Sequence, residues 1–166
     1  MIEKIKQYLP AVITEVNDRL SIFKSVVEYD ALSTKLKSEL ISNMFEASFA
    51  KVVPNTISPC KDNEPDLYID KKALEIKTAK TTNVWRGGEY SKRESDYLLV
   101  SYDDTDTDVK WFVLHSYLFE SDWKSSVSDS YYATTIDIDD IVKNKQYEIL
   151  IGDTIQKRVK THLKCA

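Results

Sequence analysis

Asp66, Glu75 and Lys77 are the residues of this sequence whose types and spacing best suit chemistry. Two converging carboxylates can hold one divalent cation, which neutralises a phosphate, orients a water and lowers that water's pKa. A nearby lysine can stabilise the developing negative charge or help to activate the water. Because the chain has only two His and no CxxC pair, a hard ion with oxygen ligands, Mg²⁺, is expected rather than Zn²⁺. This set predicts hydrolysis of a phosphodiester bond.

A β-hairpin would bring these residues to one face. We predict a two-residue turn at Lys71-Lys72, which places Asp66 opposite Lys77 and Tyr68 opposite Glu75. The grouping depends on this register, because a one-residue slip moves every side chain to the other face. An ordinary charged surface hairpin is the alternative. The opposite face is predicted to be apolar and to pack on the core through Leu67, Ile69, Leu74 and Ile76.

The order of these residues resembles a known family. Pro65-Asp66, eight intervening residues and Glu75-Ile76-Lys77 are similar to the motif of the PD-(D/E)XK nucleases, which include most type II restriction endonucleases. The resemblance implies a restriction-endonuclease-like fold, with a central mixed β-sheet flanked by helices. It also implies Mg²⁺ held by Asp66, Glu75 and the backbone carbonyl of Ile76, with Lys77 beside the attacking water. Mn²⁺ is expected to substitute for Mg²⁺.

Many members of that family add a glutamate from the preceding helix to the metal site. Glu46 is the candidate here, and Glu39 lies one heptad earlier on the same face. On a helical wheel both lie roughly opposite the apolar side, which favours two solvated glutamates over a metal ligand.

The segment from Thr81 to Arg93 follows the predicted catalytic strand and is expected to be a DNA-contacting loop. Its glycines allow close backbone approach, and its basic and amide side chains can meet phosphates and base edges. A glycine turn with exposed charges is the alternative. The predicted DNA-binding residues are Asn83, Trp85, Arg86, Gly87, Gly88, Lys92 and Arg93.

The charge of the chain is unevenly distributed, although the net charge is only −4. Residues 71–93 carry seven Lys/Arg against two Glu, and residues 94–140 carry two Lys against twelve Asp/Glu. The segment 141–166 has six basic and two acidic residues. A polyanion could bind the basic middle and tail while the acidic block faces away. Ordinary solvated faces are the alternative.

The surrounding pattern predicts one α/β (α+β) domain over residues 1–166. Its parts are a helical segment 1–53, the hairpin and central strands 64–118, and peripheral strands with a basic tail 131–166. Apolar residues alternate at spacings of four and three from Leu9 to Val27, with Pro10 near the helix start. This stripe packs on the sheet or forms a twofold interface. A second helix is predicted over 34–52, with Leu36 on its apolar side. Strands are predicted at 67–69, 73–78, 97–102, 109–118, 131–138 and 147–151, the central ones covered by helices on each side.

These features predict a Mg²⁺-dependent endonuclease acting on double-stranded DNA, best interpreted as a homodimeric, sequence-specific type II restriction endonuclease. The alternatives are a repair nickase, a junction-resolving nuclease, or a noncatalytic DNA-binding protein. No nucleotide cofactor is expected. The first residues, Met1 to Lys6, are charged where a signal peptide is apolar, and no apolar run approaches a membrane span. We therefore expect a cytoplasmic protein of prokaryotic or phage origin, with no membrane partner.

Overall fold

The computed structural model describes residues 1–59, 64–81, 83–87, 94–105, 108–128 and 131–152. These residues form one mixed α+β domain, as predicted. The helices are α1 (Ile2–Val26), α2 (Thr34–Val52) and α3 (Ile138–Asn144). The strands are β1 (Thr56–Ile57), β2 (Leu67–Ile69), β3 (Lys72–Lys80), β4 (Val84–Gly87), β5 (Ser95–Asp103), β6 (Lys110–Leu118), β7 (Lys124–Ser128), β8 (Tyr131–Asp137) and β9 (Tyr147–Ile151).

The larger sheet is mixed and has six strands in the order β1-β2-β3-β5-β6-β9. Only β3 and β5 run parallel, and the other neighbours are antiparallel. β5 lies in the middle of the sheet and is buried over most of its length on both faces. This position explains the apolar character of residues 97–102 on both faces, because each face of β5 packs against a layer of the domain.

The helices α1 and α2 cover one face of this sheet. The stripe of α1 lies inside the same core as the apolar side of α2, so it packs on the domain and is not available as a twofold interface. α2 has the predicted bounds, and Ser33 caps it by accepting a hydrogen bond of 3.3 Å from the N–H of Leu36. The buried residues of α1 are Ile5, Leu9, Val12, Val16 and Leu20.

Two expectations about the helices are wrong. α1 begins at Ile2, so Pro10 lies inside the helix and not near its start. Buried residues on both sides of the proline anchor the helix, and this packing offsets the missing backbone hydrogen bond. Leu36 is 48% exposed. The buried stripe of α2 starts at Lys37 and continues through Ile41 and Phe45. Because successive helical residues are rotated by about 100°, Leu36 lies to one side of this stripe and faces solvent.

The second face of the large sheet is covered mainly by a smaller sheet, which corrects the expectation of helices on each side. This antiparallel sheet has the order β4-β8-β7, and the short helix α3 follows β8. Trp85 of β4 is fully buried there, and its Nε1–H donates to the carbonyl of Val100 at 3.0 Å. Within the described part of the chain, no helix has the length and apolar character needed to span a membrane.

Candidate active site

The β2–β3 hairpin has a different turn from the one predicted. Asp70 and Lys71 form the turn, with φ of 49° and 68°, whereas Lys72 already belongs to β3. Positive φ at both central residues is typical of a type I′ turn, whose twist matches that of the strands. Tyr68 pairs with Ala73, and the predicted cross-strand pairs are therefore wrong.

Contacts of Asp70 account for the observed turn. Its backbone N–H donates to the carbonyl of Asn55 at 3.1 Å, and its carboxylate accepts from Lys4 Nζ at 2.8 Å. The side chain of Asn55 donates to the same carboxylate at 3.2 Å. Aspartate also tolerates the left-handed region better than most residues. These contacts come from segments distant in the sequence, so the local pattern does not reveal them.

The change in register preserves the faces of the hairpin. Each residue of β2 pairs two positions away from its predicted partner, and side chains alternate along a strand with a period of two. The apolar side is therefore as predicted, with every member at most 2% exposed: Leu67, Ile69, Leu74 and Ile76. The charged side chains remain together on the other side of the hairpin.

The structure brings Asp66, Glu75 and Lys77 together. Lys77 Nζ lies 3.3 Å from Oδ2 of Asp66 and 3.3 Å from Oε2 of Glu75. The backbone N–H of Ile76 donates to Oδ2 of Asp66 at 2.7 Å. The ammonium group therefore lies between two carboxylates, one of which is also held by the backbone.

The surroundings of Glu75 disfavour its ionised form relative to a solvent-exposed glutamate. The residue is only 4% exposed, and burial raises the pKa of Glu75 above its ordinary value. The charge of Lys77 acts to lower this pKa, and the charge of Asp66 acts to raise it. A cation bound beside Glu75 would favour the ionised form and oppose the effect of burial.

Glu46 of α2 is only partly exposed and lies within the electrostatic influence of this cluster, which corrects the expectation of a solvated glutamate. Burial raises the pKa of Glu46 to about 7, and the charges of Asp66 and Glu75 add to this effect while Lys77 opposes it. Ser42, one turn earlier, donates to Oε1 of Glu46 at 3.5 Å. The Ser42–Glu46 spacing of four residues was visible in the sequence, but it does not reveal what the pair faces.

Glu39 behaves as the helical wheel predicted. Its side chain is 56% exposed and lies 3.8 Å from Lys35 Nζ, so it belongs to the solvated side of α2. Glu46 differs because it lies two turns farther along the helix, where α2 passes Asp66 and Glu75.

β2 is shorter than β3, so part of β3 has no pairing partner on that side among the described residues. β2 pairs only with Lys72 to Leu74, whereas β3 continues to Lys80. Beyond that pairing, the carboxylate of Asp66 accepts the hydrogen bond of a β3 backbone N–H. The charged side chains of the hairpin therefore lie beside a stretch of β3 that no strand of the described residues pairs on its outer side.

The donor set is suited to a hard divalent cation. Carboxylate oxygens are the ligands that Mg²⁺ prefers, and an ammonium group already lies within 3.3 Å of both Asp66 and Glu75. Within the described ranges, no three His, Cys, Asp or Glu side chains form a metal-binding group. Asp66 and Glu75, the two carboxylates around Lys77, are therefore candidate ligands for such a cation.

The predicted DNA-contacting residues are divided between the core, the surface and the undescribed segments. Asn83 is 3% exposed and Trp85 is fully buried, so neither side chain is placed to contact DNA. Gly87 is buried in β4, where its carbonyl accepts a hydrogen bond of 3.0 Å from Thr134, and only Arg86 is exposed. Residues 84–87 thus form a strand and not a loop. The other predicted positions lie outside the described residues: Gly88, Lys92, Arg93 and the basic tail from 153 onward.

Comparison with known proteins does not assign a family. No protein-family model matches this sequence, and no curated protein is similar enough to be matched to it.

Proposed function

We propose that this protein is a Mg²⁺-dependent endonuclease that hydrolyses phosphodiester bonds in double-stranded DNA. The observation that carries the proposal is the convergence of Asp66 and Glu75 on the ammonium group of Lys77, at 3.3 Å from each. Two carboxylates and a lysine on one side of a hairpin match the requirements of phosphodiester hydrolysis. The resemblance of the motif to PD-(D/E)XK nucleases supports the same activity.

Each residue has a role in this proposal. Asp66, Glu75 and the backbone carbonyl of Ile76 would hold Mg²⁺, which when bound neutralises phosphate charge and lowers the pKa of water. The backbone hydrogen bond to Asp66 orients its carboxylate. Lys77 Nζ donates hydrogen bonds to the negative charge that develops on the phosphate oxygens.

Glu46 is assigned a proton-accepting role. A base is most effective when its pKa is near the working pH, and the pKa of Glu46 is about 7. Its carboxylate would accept a proton from the attacking water. The family-derived alternative, in which Glu46 is a further metal ligand, requires its carboxylate to approach Asp66 and Glu75 more closely, because the described residues contain no three-carboxylate metal group.

A type II restriction endonuclease is the most specific form of the proposal. Such an enzyme cuts both strands of its site, and a domain with one catalytic cluster does so as a symmetric dimer. Because the stripe of α1 is buried in the core, the homodimer would use another surface. Light scattering with and without DNA tests whether the protein is a dimer. A monomer under both conditions would contradict the proposed homodimer.

The decisive experiment is incubation of purified protein with supercoiled plasmid, phage DNA and a four-way DNA junction in Mg²⁺, followed by sequencing of the ends. EDTA and the Asp66→Ala variant are the controls. Cleavage at fixed positions in both strands supports a restriction endonuclease. Nicks only, or cleavage confined to branched DNA, would support a repair nickase or a junction-resolving nuclease. No metal-dependent cleavage of any of these substrates would overturn the proposal and leave a noncatalytic DNA-binding role.

A further inference from the structure

A cleft of about 700 Å³ lies next to the candidate active site, between the first turns of α2, the last residues of β3, and β4. Thr78, which lines the cleft, directly follows Lys77 in β3. The polar residues that line the cleft are Thr34, Lys35, Ser38, Glu39, Thr78, Lys80 and Arg86. We call this surface the basic cleft.

Cations outnumber carboxylates in the basic cleft by three to one. Arg86 is exposed to solvent. Lys35 is 87% exposed and lies 3.8 Å from Glu39, a distance and exposure at which an ion pair contributes little. Both side chains can therefore form new contacts with an anionic ligand.

Lys80 differs from the other two cations because the protein holds it in place. Its Nζ lies 2.6 Å from Oδ1 of Asp104, whose side chain is 1% exposed. Tyr29 donates a further hydrogen bond to Asp104 at 2.8 Å. A lysine fixed in this way presents its remaining N–H donors to the cleft without an additional loss of side-chain entropy.

The basic cleft is continuous with the candidate active site along α2. Ser38, Ser42 and Glu46 follow one another at a spacing of four residues, so Ser38 lies about 12 Å along the helix axis from Glu46. Successive phosphates of one DNA strand are separated by about 3.4 Å along the duplex axis. Lys80, which lines the cleft, follows Lys77 by three residues of β3, or about 10 Å, so this cation is roughly three nucleotides from a phosphate placed at Lys77.

We propose that the basic cleft binds the phosphate backbone of duplex DNA on one side of the bond to be cut. The inference rests on the proposed function for the identity of the polyanion. Three observations support the proposal. Three cations line the cleft, one of them, Lys80, is held in place by Asp104, and the cleft adjoins Lys77. Contacts of this kind position a duplex and carry no sequence information. Arg86 is therefore a phosphate contact and not a reader of guanine.

The test is binding of a fluorescent DNA duplex in EDTA, measured by anisotropy over a range of NaCl concentrations. Arg86→Ala and Lys35→Ala should each weaken binding several-fold at low salt. Each should also make the slope of log K against log[salt] shallower by about 0.9. Lys6→Ala is the control, because it removes one positive charge beside Glu148 of β9, an edge strand three positions away from β3 in the large sheet. It should leave affinity and slope unchanged.

Both variants change exposed side chains and should not destabilise the fold. A thermal unfolding temperature equal to that of the wild type verifies this. The proposal that the basic cleft binds DNA would be overturned by either of two results. One is wild-type affinity and salt dependence in both variants, and the other is a wild-type protein that does not bind DNA. Metal-dependent cleavage by those same variants would then leave the nuclease proposal standing. Conversely, the variants could bind DNA more weakly while the wild type cleaves no DNA. This result would support DNA binding by the basic cleft and contradict the proposed nuclease activity.

The position of the contact can be tested separately once the cut site is known. A single uncharged methylphosphonate linkage about three nucleotides from that site should weaken binding by wild type. The same linkage should have a smaller effect on Arg86→Ala, because the interaction it removes is already absent. Equal losses in both proteins at every position tested would contradict the proposed placement.

Discussion

The backbone N–H of Ile76 donates a hydrogen bond of 2.7 Å to Oδ2 of Asp66. Asp66 directly precedes β2 and Ile76 lies in the middle of β3, so this bond connects the two segments where their strand pairing has ended. It fixes the orientation of one carboxylate in the protein alone. The candidate site is thereby organised before any ligand binds, which is a requirement for efficient catalysis.

Replacing the charged residues of the site should abolish cleavage without unfolding the protein. Asp66→Ala and Glu75→Ala should each lower the cleavage rate by about 1000-fold or more, because each removes part of a metal site worth several kcal/mol in the transition state. Lys77→Ala should be nearly as severe. Rates are measured on plasmid under single-turnover conditions, with circular dichroism to verify folding.

Glu3→Ala is the matched control for these variants, since Glu3 is exposed near the start of α1, away from both the cluster and the basic cleft. It should cleave at the wild-type rate. In EDTA, Asp66→Ala should bind DNA at least as tightly as wild type, because one negative charge facing the phosphate is lost. Carboxylate variants that cleave as fast as wild type would show that the site is misassigned.

The raised pKa of Glu46 predicts how stability depends on pH in metal-free buffer. The unfolded carboxyl ionises near its ordinary value of 4.5 and the folded one near 7, so stability falls as the pH rises through this range. Glu46→Gln removes this loss. It should therefore raise the unfolding temperature relative to wild type at pH 8, with a much smaller difference at pH 4.5.

Calorimetry in EDTA at the two pH values checks this prediction, with Glu39→Gln as the control on the exposed side of α2. An advantage for Glu46→Gln that is the same at both pH values would show that ionisation of Glu46 is not its cause.

The turn of the hairpin predicts opposite effects for two adjacent lysines. Lys71 has a φ of 68°, a conformation that costs an L-residue free energy, whereas Lys72 is in β3. Lys71→Gly should stabilise the protein by about 0.5–1 kcal/mol, and Lys72→Gly should destabilise it by a similar amount. Urea unfolding measures both variants. If both glycines destabilise equally, the turn is not at Asp70 and Lys71.

The buried carboxylate of Asp104 should matter for stability at neutral pH. Burial acts to raise the pKa of Asp104, but the hydrogen bonds from Lys80 and Tyr29 lower it below the ordinary value of 3.8. Its contribution is therefore present above about that pH and is lost as the pH falls through the lower folded pKa.

Asp104→Asn should reduce the free energy of unfolding at pH 7 by about 1.5–3 kcal/mol, since it removes charged hydrogen bonds. The difference from wild type should shrink in acid. The exposed Asp108→Asn makes the same charge change and should cost less than about 0.5 kcal/mol. Equal losses in the two variants by urea unfolding would refute a special role for Asp104.

Periodicity predicted the parts of this fold that depend on local sequence. The bounds of α2 and β9 agree with the structure because an amphipathic stripe and a short apolar run are each complete within one segment. The faces of the hairpin were also correct. An error of two residues in pairing does not exchange the sides of a strand, so Asp66 and Lys77 still meet.

Non-local contacts account for what the sequence did not predict. β4 pairs with β8 across about fifty intervening residues, and no local signal marks Trp85 as a core residue rather than a DNA contact. The orientation of Glu46 was missed for a similar reason. A helical wheel locates the apolar side of α2, but it does not show that the flank of the helix passes an opening in the sheet.

The short length of β2 has a consequence for the behaviour of the molecule in solution. A strand edge without a neighbour can recruit a strand from another molecule, and proteins commonly protect such edges with charged side chains. Here Asp66 occupies one backbone donor of β3, and Glu75 and Lys77 place opposite charges beside it. We therefore expect the residues proposed for catalysis also to limit the addition of a strand from another molecule at this edge. Inactive alanine variants, made to trap a DNA complex, should therefore be handled as the more aggregation-prone forms of this protein.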